Sequence, residues 1–152
     1  MITEVQKQRN ASVVSLLIRL VLATVFIVAG VRKIISIVEG GYFDWIKGFT
    51  HGFHSYFMYA WPFRALLYVF AAVLPWLETA IGLTLFAGYR TRTVLVVSAF
   101  LLGFLTFGMA VTGDHATVAN NAQYVVFAAL AYYFTLYGNS FSLDAVLAKK
   151  QP

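Results

Sequence analysis

Residues 94–111 read VLVVSAFLLGFLTFGMAV and contain no charged side chain. A helix of this length spans about 27 Å at 1.5 Å per residue, which is close to the ~30 Å hydrocarbon core of a bilayer. An uncharged apolar run of 18 or more residues is typical of a transmembrane helix. This stretch therefore predicts a membrane-spanning helix, and the rest of the chain is interpreted around it.

Three other apolar runs have similar lengths. They cover residues 13–37, 62–87 and 118–136. The 152-residue chain is 61% hydrophobic and 11% charged, with a mean hydropathy of +0.77. A soluble domain carries about 25% charged residues, and lipid tolerates apolar surface that water would not. We therefore predict a single membrane domain over residues 1–152, an all-α integral membrane four-helix bundle.

The connection between the first two predicted spans, residues 42–60, is aromatic without being a membrane span. Aromatic side chains recur here at every fourth position, which places them on one helical face. They are Trp45, Phe49, Phe53, Phe57 and Trp61. Two interpretations stay open: a short interfacial helix with its aromatics dipped into lipid, or a loop that carries an ordinary aromatic belt. We predict that Trp45, Phe49 and Phe53 lie at the outer membrane interface or against a partner subunit.

Basic residues indicate the orientation in the membrane. Three regions of the four-span arrangement share one side, and they carry Lys7, Arg9, Arg90, Arg92, Lys149 and Lys150. Because cytoplasmic segments are enriched in Lys and Arg, both termini are predicted to be cytoplasmic, in a bacterial or archaeal cytoplasmic membrane. The net charge of +5 fits this interpretation better than nucleic-acid binding, since no basic stripe with interleaved aromatics is present.

Two charged residues lie well away from the ends of the predicted spans, and charge within a membrane needs a partner or a purpose. Arg19 and Glu78 have overlapping estimated depths, so antiparallel neighbouring helices are expected to join them in a buried ion pair. They are the candidate catalytic residues, as a polar centre that binds a substrate or relays protons. The alternative is a charge clamp between helices, or an Arg19 that reaches the interface.

A second polar group is predicted at the outer ends of the helices. Arg32 and Lys33 close the first span, while Asn120 and Asn121 open the fourth. These four are the predicted ligand-binding residues, in a cationic pocket suited to a small anion or to the carbonyl oxygens of a quinone. The alternative is that the cations reach for the interface and the asparagines cap a helix.

Metal and covalent cofactors are not expected. The chain has no cysteine, which excludes thiolate and iron–sulfur ligation within it. His51, His54 and His115 fall in connections and not on the spans where haem ligands would be needed, and whether any of them binds something is left open. A quinone is therefore the one candidate cofactor.

The order of several short motifs resembles the DoxX-like membrane protein family, over about residues 15–147. The motifs are Arg19, Gly30-Val31-Arg32-Lys33, Pro75-Trp76-Leu77-Glu78, Gly82, Gly88, Arg90-Thr91-Arg92, Asn120-Asn121, Gly138 and Ser142-Leu143-Asp144. The resemblance implies a four-helix membrane fold and, from the DoxD branch, the small subunit of a thiosulfate:quinone oxidoreductase that works with a second subunit. It places functional interest on Arg19, Lys33, Glu78 and Asn121.

The function predicted from the sequence is a small integral membrane subunit associated with quinone-linked respiratory redox chemistry. The competing class is a non-catalytic accessory or scaffold subunit of a larger membrane complex. Both classes imply contact with lipid and with other membrane subunits, and the sequence leaves open whether the chain is catalytic by itself.

Overall fold

A computed structural model describes residues 3–51 and 61–148, and the secondary structure over these ranges is entirely helical. The helices are α1 (Glu4–Gly40), α2 (Tyr42–His51), α3 (Trp61–Ala87), α4 (Thr91–Thr112), α5 (His115–Tyr137) and α6 (Leu143–Ala148). The predicted all-α class is confirmed.

Three helices are long and apolar enough to cross a membrane. They are α1, the part of α3 from Ala65 onward, and α4. Large apolar side chains point away from the protein along them, as with Phe100, which is 76% exposed, and Val69, which is 63% exposed. The chain is a membrane protein whose outer surface contacts lipid. Helix α5 has 23 residues, but Asn120, Asn121 and several tyrosines lower its hydropathy.

The four long helices pack around one apolar core. Helix α1 packs on α3 and α5, and α5 packs along α4. Deeply buried core side chains include Leu22, Ala23, Phe26, Leu74, Leu85, Leu95, Ala128 and Ala131. Consecutive long helices are antiparallel, so the turns between them lie at the two opposite ends of the bundle. The proximal end holds the start of α1, residues 88–90 and α6, and the distal end holds α2 and residues 113–114.

Glycines set the close approach of α1 and α3. A Cβ on Gly82 would lie 2.8 Å from the backbone N of Ile27 and 3.0 Å from the carbonyl O of Ala23. A Cβ on Gly30 would lie 2.8 Å from the carbonyl O of Pro75. Small residues at helix contacts let membrane helices pack backbone to backbone. The two glycines therefore fix the register in which α1 meets α3.

Replacing Gly82 with Ala should lower the free energy of unfolding by about 1–3 kcal/mol, because the new methyl group meets backbone that cannot move aside. Denaturant titration of the purified protein in detergent measures the loss. Gly103→Ala is the matched control, since a Cβ on Gly103 meets nothing within 4 Å. Equal stability of the Gly82→Ala protein and the wild type would show that α1 and α3 do not depend on this contact.

The aromatic connection begins as a helix, but its aromatic face packs inward. In α2 the Trp45 and Phe49 rings are 5.1 Å apart, and Phe49 lies 6.3 Å from Phe70 of α3. Phe70 in turn lies 4.9 Å from Phe104 of α4. The expectation that Phe49 dips into lipid is therefore corrected, because α3 supplies an apolar surface that α2 covers.

The remaining aromatic positions are not all placed by the structure. Phe43 of α2 is 77% exposed, so its ring faces outward. Phe53 and Phe57 lie outside the described residues. The predicted position of this connection at the membrane interface stays a prediction.

Candidate functional site

One ion pair joins α1 to α3 inside the protein. The Lys33 Nζ donates a hydrogen bond to Glu78 Oε2. Glu78 is 2% exposed, whereas the Lys33 side chain keeps 28% of its surface exposed. The glycine contacts described above bring the two helices close enough for Lys33 to reach the carboxylate. The pair therefore has a buried anion and a cation that remains accessible from outside the bundle.

The predicted ion pair between Arg19 and Glu78 is wrong. Arg19 lies 14 residues before Lys33 on α1, about 21 Å along the helix at 1.5 Å per residue. The register fixed by Gly82 sets Glu78 far along α1 from Arg19, which lies beside Gly88. The depth estimate failed because α1 begins at Glu4, well before the predicted span, so counting from residue 13 misplaced Arg19 relative to α3.

Arg19 is bound instead by residues near the C-terminus. It is 2% exposed, and its Nη2 donates to the carbonyl O of Phe141 at 2.6 Å. Its Nη1 lies 3.4 Å from Asn139 Oδ1. A Cβ on Gly88 would lie 2.8 Å from Nη1, so this glycine makes room for the guanidinium. Arg19 holds the chain after α5 against the proximal end of the bundle.

The same segment carries a second set of contacts. Ser12 Oγ lies 3.3 Å from Ser140 Oγ and accepts a hydrogen bond from the backbone N–H of Ser140 at 3.2 Å. The Asp144 carboxylate accepts from the backbone N–H groups of Arg90 and Thr91, at 2.6 and 2.8 Å. It therefore caps the start of α4, where unpaired N–H groups favour an anion. The polar contacts of Arg19, Ser12 and Asp144 at the proximal end therefore hold parts of the fold together.

Sequence reasoning missed the roles of Asn139 and Asp144. The sequence does contain a pattern that indicates such roles, because polar residues follow Gly138 where an apolar helix ends. What could not be read from that pattern is the identity of their partners, which lie far away in the sequence: Asn139 accepts from the Arg19 side chain of α1, and Asp144 caps the start of α4.

The structure does not assemble the predicted outer pocket. Arg32 and Asn120 are exposed and Asn121 is half-buried. Within residues 3–51 and 61–148, no hydrogen bond joins either asparagine to Arg32 or Lys33. The start of α5 is capped by Asp114, whose Oδ1 accepts from the Thr117 N–H at 3.0 Å. The ligand-binding role of these four residues stays a prediction. Lys33 pairs with Glu78.

The electrostatics of the distal turn follow from that cap. The Thr117 hydroxyl and backbone N–H both donate to the Asp114 carboxylate and lower its pKa below the usual range for an aspartate. Asp114 is consequently charged at neutral pH and stabilises the start of α5.

The histidines lie at helix ends where the structure describes them. His115 is the first residue of α5, and His51 is the last residue of α2. His54 lies outside the described residues.

The chemistry available at the two buried charges differs. Two nitrogens of Arg19, Nη1 and Nη2, are hydrogen-bonded to the chain after α5, while its buried Nε has no partner among the described residues. We assign Arg19 a positioning role within the fold. Among the described residues Glu78 has Lys33 as its charged partner, and the long side chain of Lys33 can reach solvent or lipid headgroups. Among the described residues no group of three His, Asp or Glu side chains is arranged to hold a metal ion. The Lys33–Glu78 pair is thus the candidate functional site.

Comparison with known protein families matches residues 11–120 to the family described as methylamine utilisation protein MauE. The matched range contains most of α1, all of α2, α3 and α4, and the start of α5. It therefore covers well over half of the chain and includes Arg19, Lys33 and Glu78. No curated protein and no solved structure matches the chain.

The resemblance to the DoxX-like family is wrong, because the family matched is a different one and no DoxX match is found. The motifs that carried it are general features of small helical membrane proteins. Basic residues mark cytoplasmic turns and glycines mark close helix contacts in many families. Their order along the chain therefore does not distinguish one family from another, and the implied thiosulfate chemistry loses its support.

Proposed function

This chain belongs to the family of the methylamine utilisation protein MauE, and we propose that it is a non-catalytic accessory membrane protein of methylamine utilisation. Its functional centre in this proposal is the Lys33–Glu78 pair. The observation that carries the proposal is the asymmetry of that pair, since Glu78 is buried and Lys33 is partly exposed.

A buried carboxylate with a single charged partner is costly inside a membrane unless the arrangement is used. Lys33 can leave Glu78 and present its ammonium group outside the helix pair, because its stem is long and part of its surface is already accessible. Contact with another membrane protein or a small polar ligand at α1 and α3 would then shift the pair between two arrangements. This is a way for an accessory protein to respond to its partner without performing chemistry.

The proposed topology has α5 as a fourth span and both termini on the cytoplasmic side of a bacterial or archaeal cytoplasmic membrane. Helix α5 supports this because it packs along both α1 and α4, and its 23 residues match the 22 residues of α4 in length. Lys7, Arg9, Arg90 and Arg92 all lie at the proximal end, which favours that end as cytoplasmic. Lys149 and Lys150 lie outside the described residues.

Reporter fusions test the topology. A fusion at Asp114 should report the outside and a fusion after the last residue should report the cytoplasm, because α5 separates these two positions. If both fusions report the same side, α5 does not cross the membrane and the proposed arrangement is wrong.

Growth on methylamine tests the proposed function. In a host that carries this gene and grows on methylamine, deletion should prevent or slow growth on methylamine and leave growth on an unrelated substrate such as succinate unchanged. A plasmid copy of the wild type should restore growth. Growth on methylamine that is unaffected by the deletion would overturn the assignment to this process.

Complementation with variants tests the site. The double variant Lys33→Met/Glu78→Gln keeps the helices packed without charge and should fail to restore growth although it accumulates in the membrane. Arg32→Gln, which removes the exposed neighbouring charge, should restore growth fully. Full growth with the double variant would show that the pair serves only the fold.

A quinone is a second candidate ligand of the same pair. The observation that favours it is the partly exposed Lys33 side chain, whose ammonium group has three N–H donors and can donate one to a quinone carbonyl oxygen. Purification of the tagged protein from native membranes separates the two proposals. Recovery with a cofactor-bearing complex supports the accessory role, whereas quinone reduction by the isolated chain, lost in Lys33→Met, would replace it.

A further inference from the structure

We propose that the seam between α4 and α5 binds one anionic phospholipid, with its phosphate at Arg90 and Arg92 and an acyl chain along the seam. The proposal concerns a surface that the Lys33–Glu78 site does not use. It rests on two neighbouring clefts, one cationic and one apolar, that share a helix face.

The cationic cleft has a volume of about 610 Å³ and lies at the proximal end, where Arg90, Arg92, Thr93 and Ser140 line it. The Arg92 Nη2 donates to the carbonyl O of Thr135 at 2.9 Å, which fixes one edge of the guanidinium and leaves further N–H groups available. Neither arginine forms an ion pair within the described parts of the chain. The cleft thus offers two cations, a hydroxyl at Thr93 and another at Ser140 to a phosphate.

Asp144 also lines this cleft, but its carboxylate is already engaged. Its two oxygens accept from the backbone N–H groups of Arg90 and Thr91. The carboxylate forms no ion pair with the side chain of Arg90 or Arg92 within the described residues. Both guanidinium groups can therefore still donate hydrogen bonds to a phosphate.

The apolar cleft begins one helical turn farther along α4. It has a volume of about 550 Å³, and its lining includes Val96, Ala99, Gly103 and Ala129. Arg92, Val96, Ala99 and Gly103 follow each other at steps of three or four residues, so they lie on one face of α4. The cationic cleft and the apolar cleft are consequently consecutive parts of one surface.

The dimensions suit a lipid of one leaflet. The distance from Arg92 to Phe104 along α4 is about 18 Å at 1.5 Å per residue. One leaflet's hydrocarbon region is about 15 Å deep, half of the ~30 Å core. A ligand that fits must be anionic at one end and apolar over this length, which is the chemistry of an anionic phospholipid. Basic groups at the membrane surface attract such lipids.

Native mass spectrometry of the purified full-length protein in detergent tests the proposal. The probes are phosphatidylglycerol and phosphatidylcholine with the same acyl chains, added at equal concentrations. We expect one phosphatidylglycerol to be retained in preference to phosphatidylcholine. The Arg90→Gln/Arg92→Gln variant should bind it roughly 10- to 30-fold more weakly. Arg9→Gln, which removes an exposed charge at the same end, should change binding less than about twofold.

Two further measurements distinguish a bound phospholipid from other ligands of the seam. Gly103→Leu fills the apolar cleft and should weaken retention of phosphatidylglycerol, while circular dichroism confirms that the variant stays helical; if that variant does not fold, Ala129→Leu replaces it. Inorganic phosphate should not compete with the lipid at equal concentration. Equal retention of both lipids, unchanged binding in the double arginine variant, or full competition by phosphate would each overturn the proposal. A protein retained in the seam in place of lipid would overturn it as well.

Discussion

Replacing Lys33 with Met should lower the free energy of unfolding in detergent by about 3–5 kcal/mol, the loss typical when one member of a buried ion pair is removed. The reason is that Glu78 is 2% exposed and its charged partner among the described residues is Lys33. Glu78→Gln should cost less, because the Lys33 left behind can extend its ammonium group to the surface. Denaturant titration of both purified variants measures the difference.

A double-mutant cycle isolates the interaction. Lys33→Met/Glu78→Gln should be less damaged than the sum of the two single variants, since no charge is then left buried without a partner. Arg32→Gln is the control for losing a positive charge on α1, and it should change stability by less than about 0.5 kcal/mol because Arg32 is exposed. Additive losses from Lys33 and Glu78 would show that they are not energetically paired.

Replacing Arg19 with Leu should lower the free energy of unfolding by about 2–4 kcal/mol, because hydrogen bonds from a charged donor contribute roughly 1.5–3 kcal/mol each. The bonds lost are those to the carbonyl O of Phe141 and the side chain of Asn139. The segment after α5 should then detach from the bundle. Faster amide hydrogen exchange in residues 139–148 of the variant measures this directly.

The control for Arg19→Leu is a substitution of another arginine in α1. Arg9→Gln removes an exposed charge and should leave both stability and exchange unchanged. Combining Arg19→Leu with Glu78→Gln should give losses that add within about 0.3–0.5 kcal/mol, since the two side chains share no partner. A clear departure from additivity would contradict the separate placement of these residues.

The sequence identified the important charges better than it identified their partners. Arg19 and Glu78 were singled out because charge within an apolar segment is costly, and Lys33 was singled out as a candidate ligand-binding residue at the end of the first span. All three are held in specific contacts. The pairing failed because it depended on counting residues from predicted helix ends. Helix ends are uncertain, and each residue of error moves a side chain by 1.5 Å and about 100° around the axis.

For the aromatic segment, too, the sequence predicted the pattern but not the contacts. Its spacing predicted a helical face, and Trp45 and Phe49 do share a face of α2. Periodicity shows that one face is apolar but does not tell whether lipid or protein covers it, since both are apolar surroundings in a membrane protein. Only the position of Phe70 on α3 decides that Phe49 faces inward.

The sequence by itself determined that this protein is helical and lies in a membrane, because apolar runs of bilayer length have no other stable arrangement in lipid. It also determined which charged residues must be accounted for. The tertiary structure decided that Glu78 meets Lys33 and that Arg19 meets the chain after α5. The physical reason is that these partners follow from how the helices meet. The backbone contacts at Gly30 and Gly82 set the register of α1 on α3, and Gly138, which lies against the backbone of Gln8, sets where α5 ends on α1.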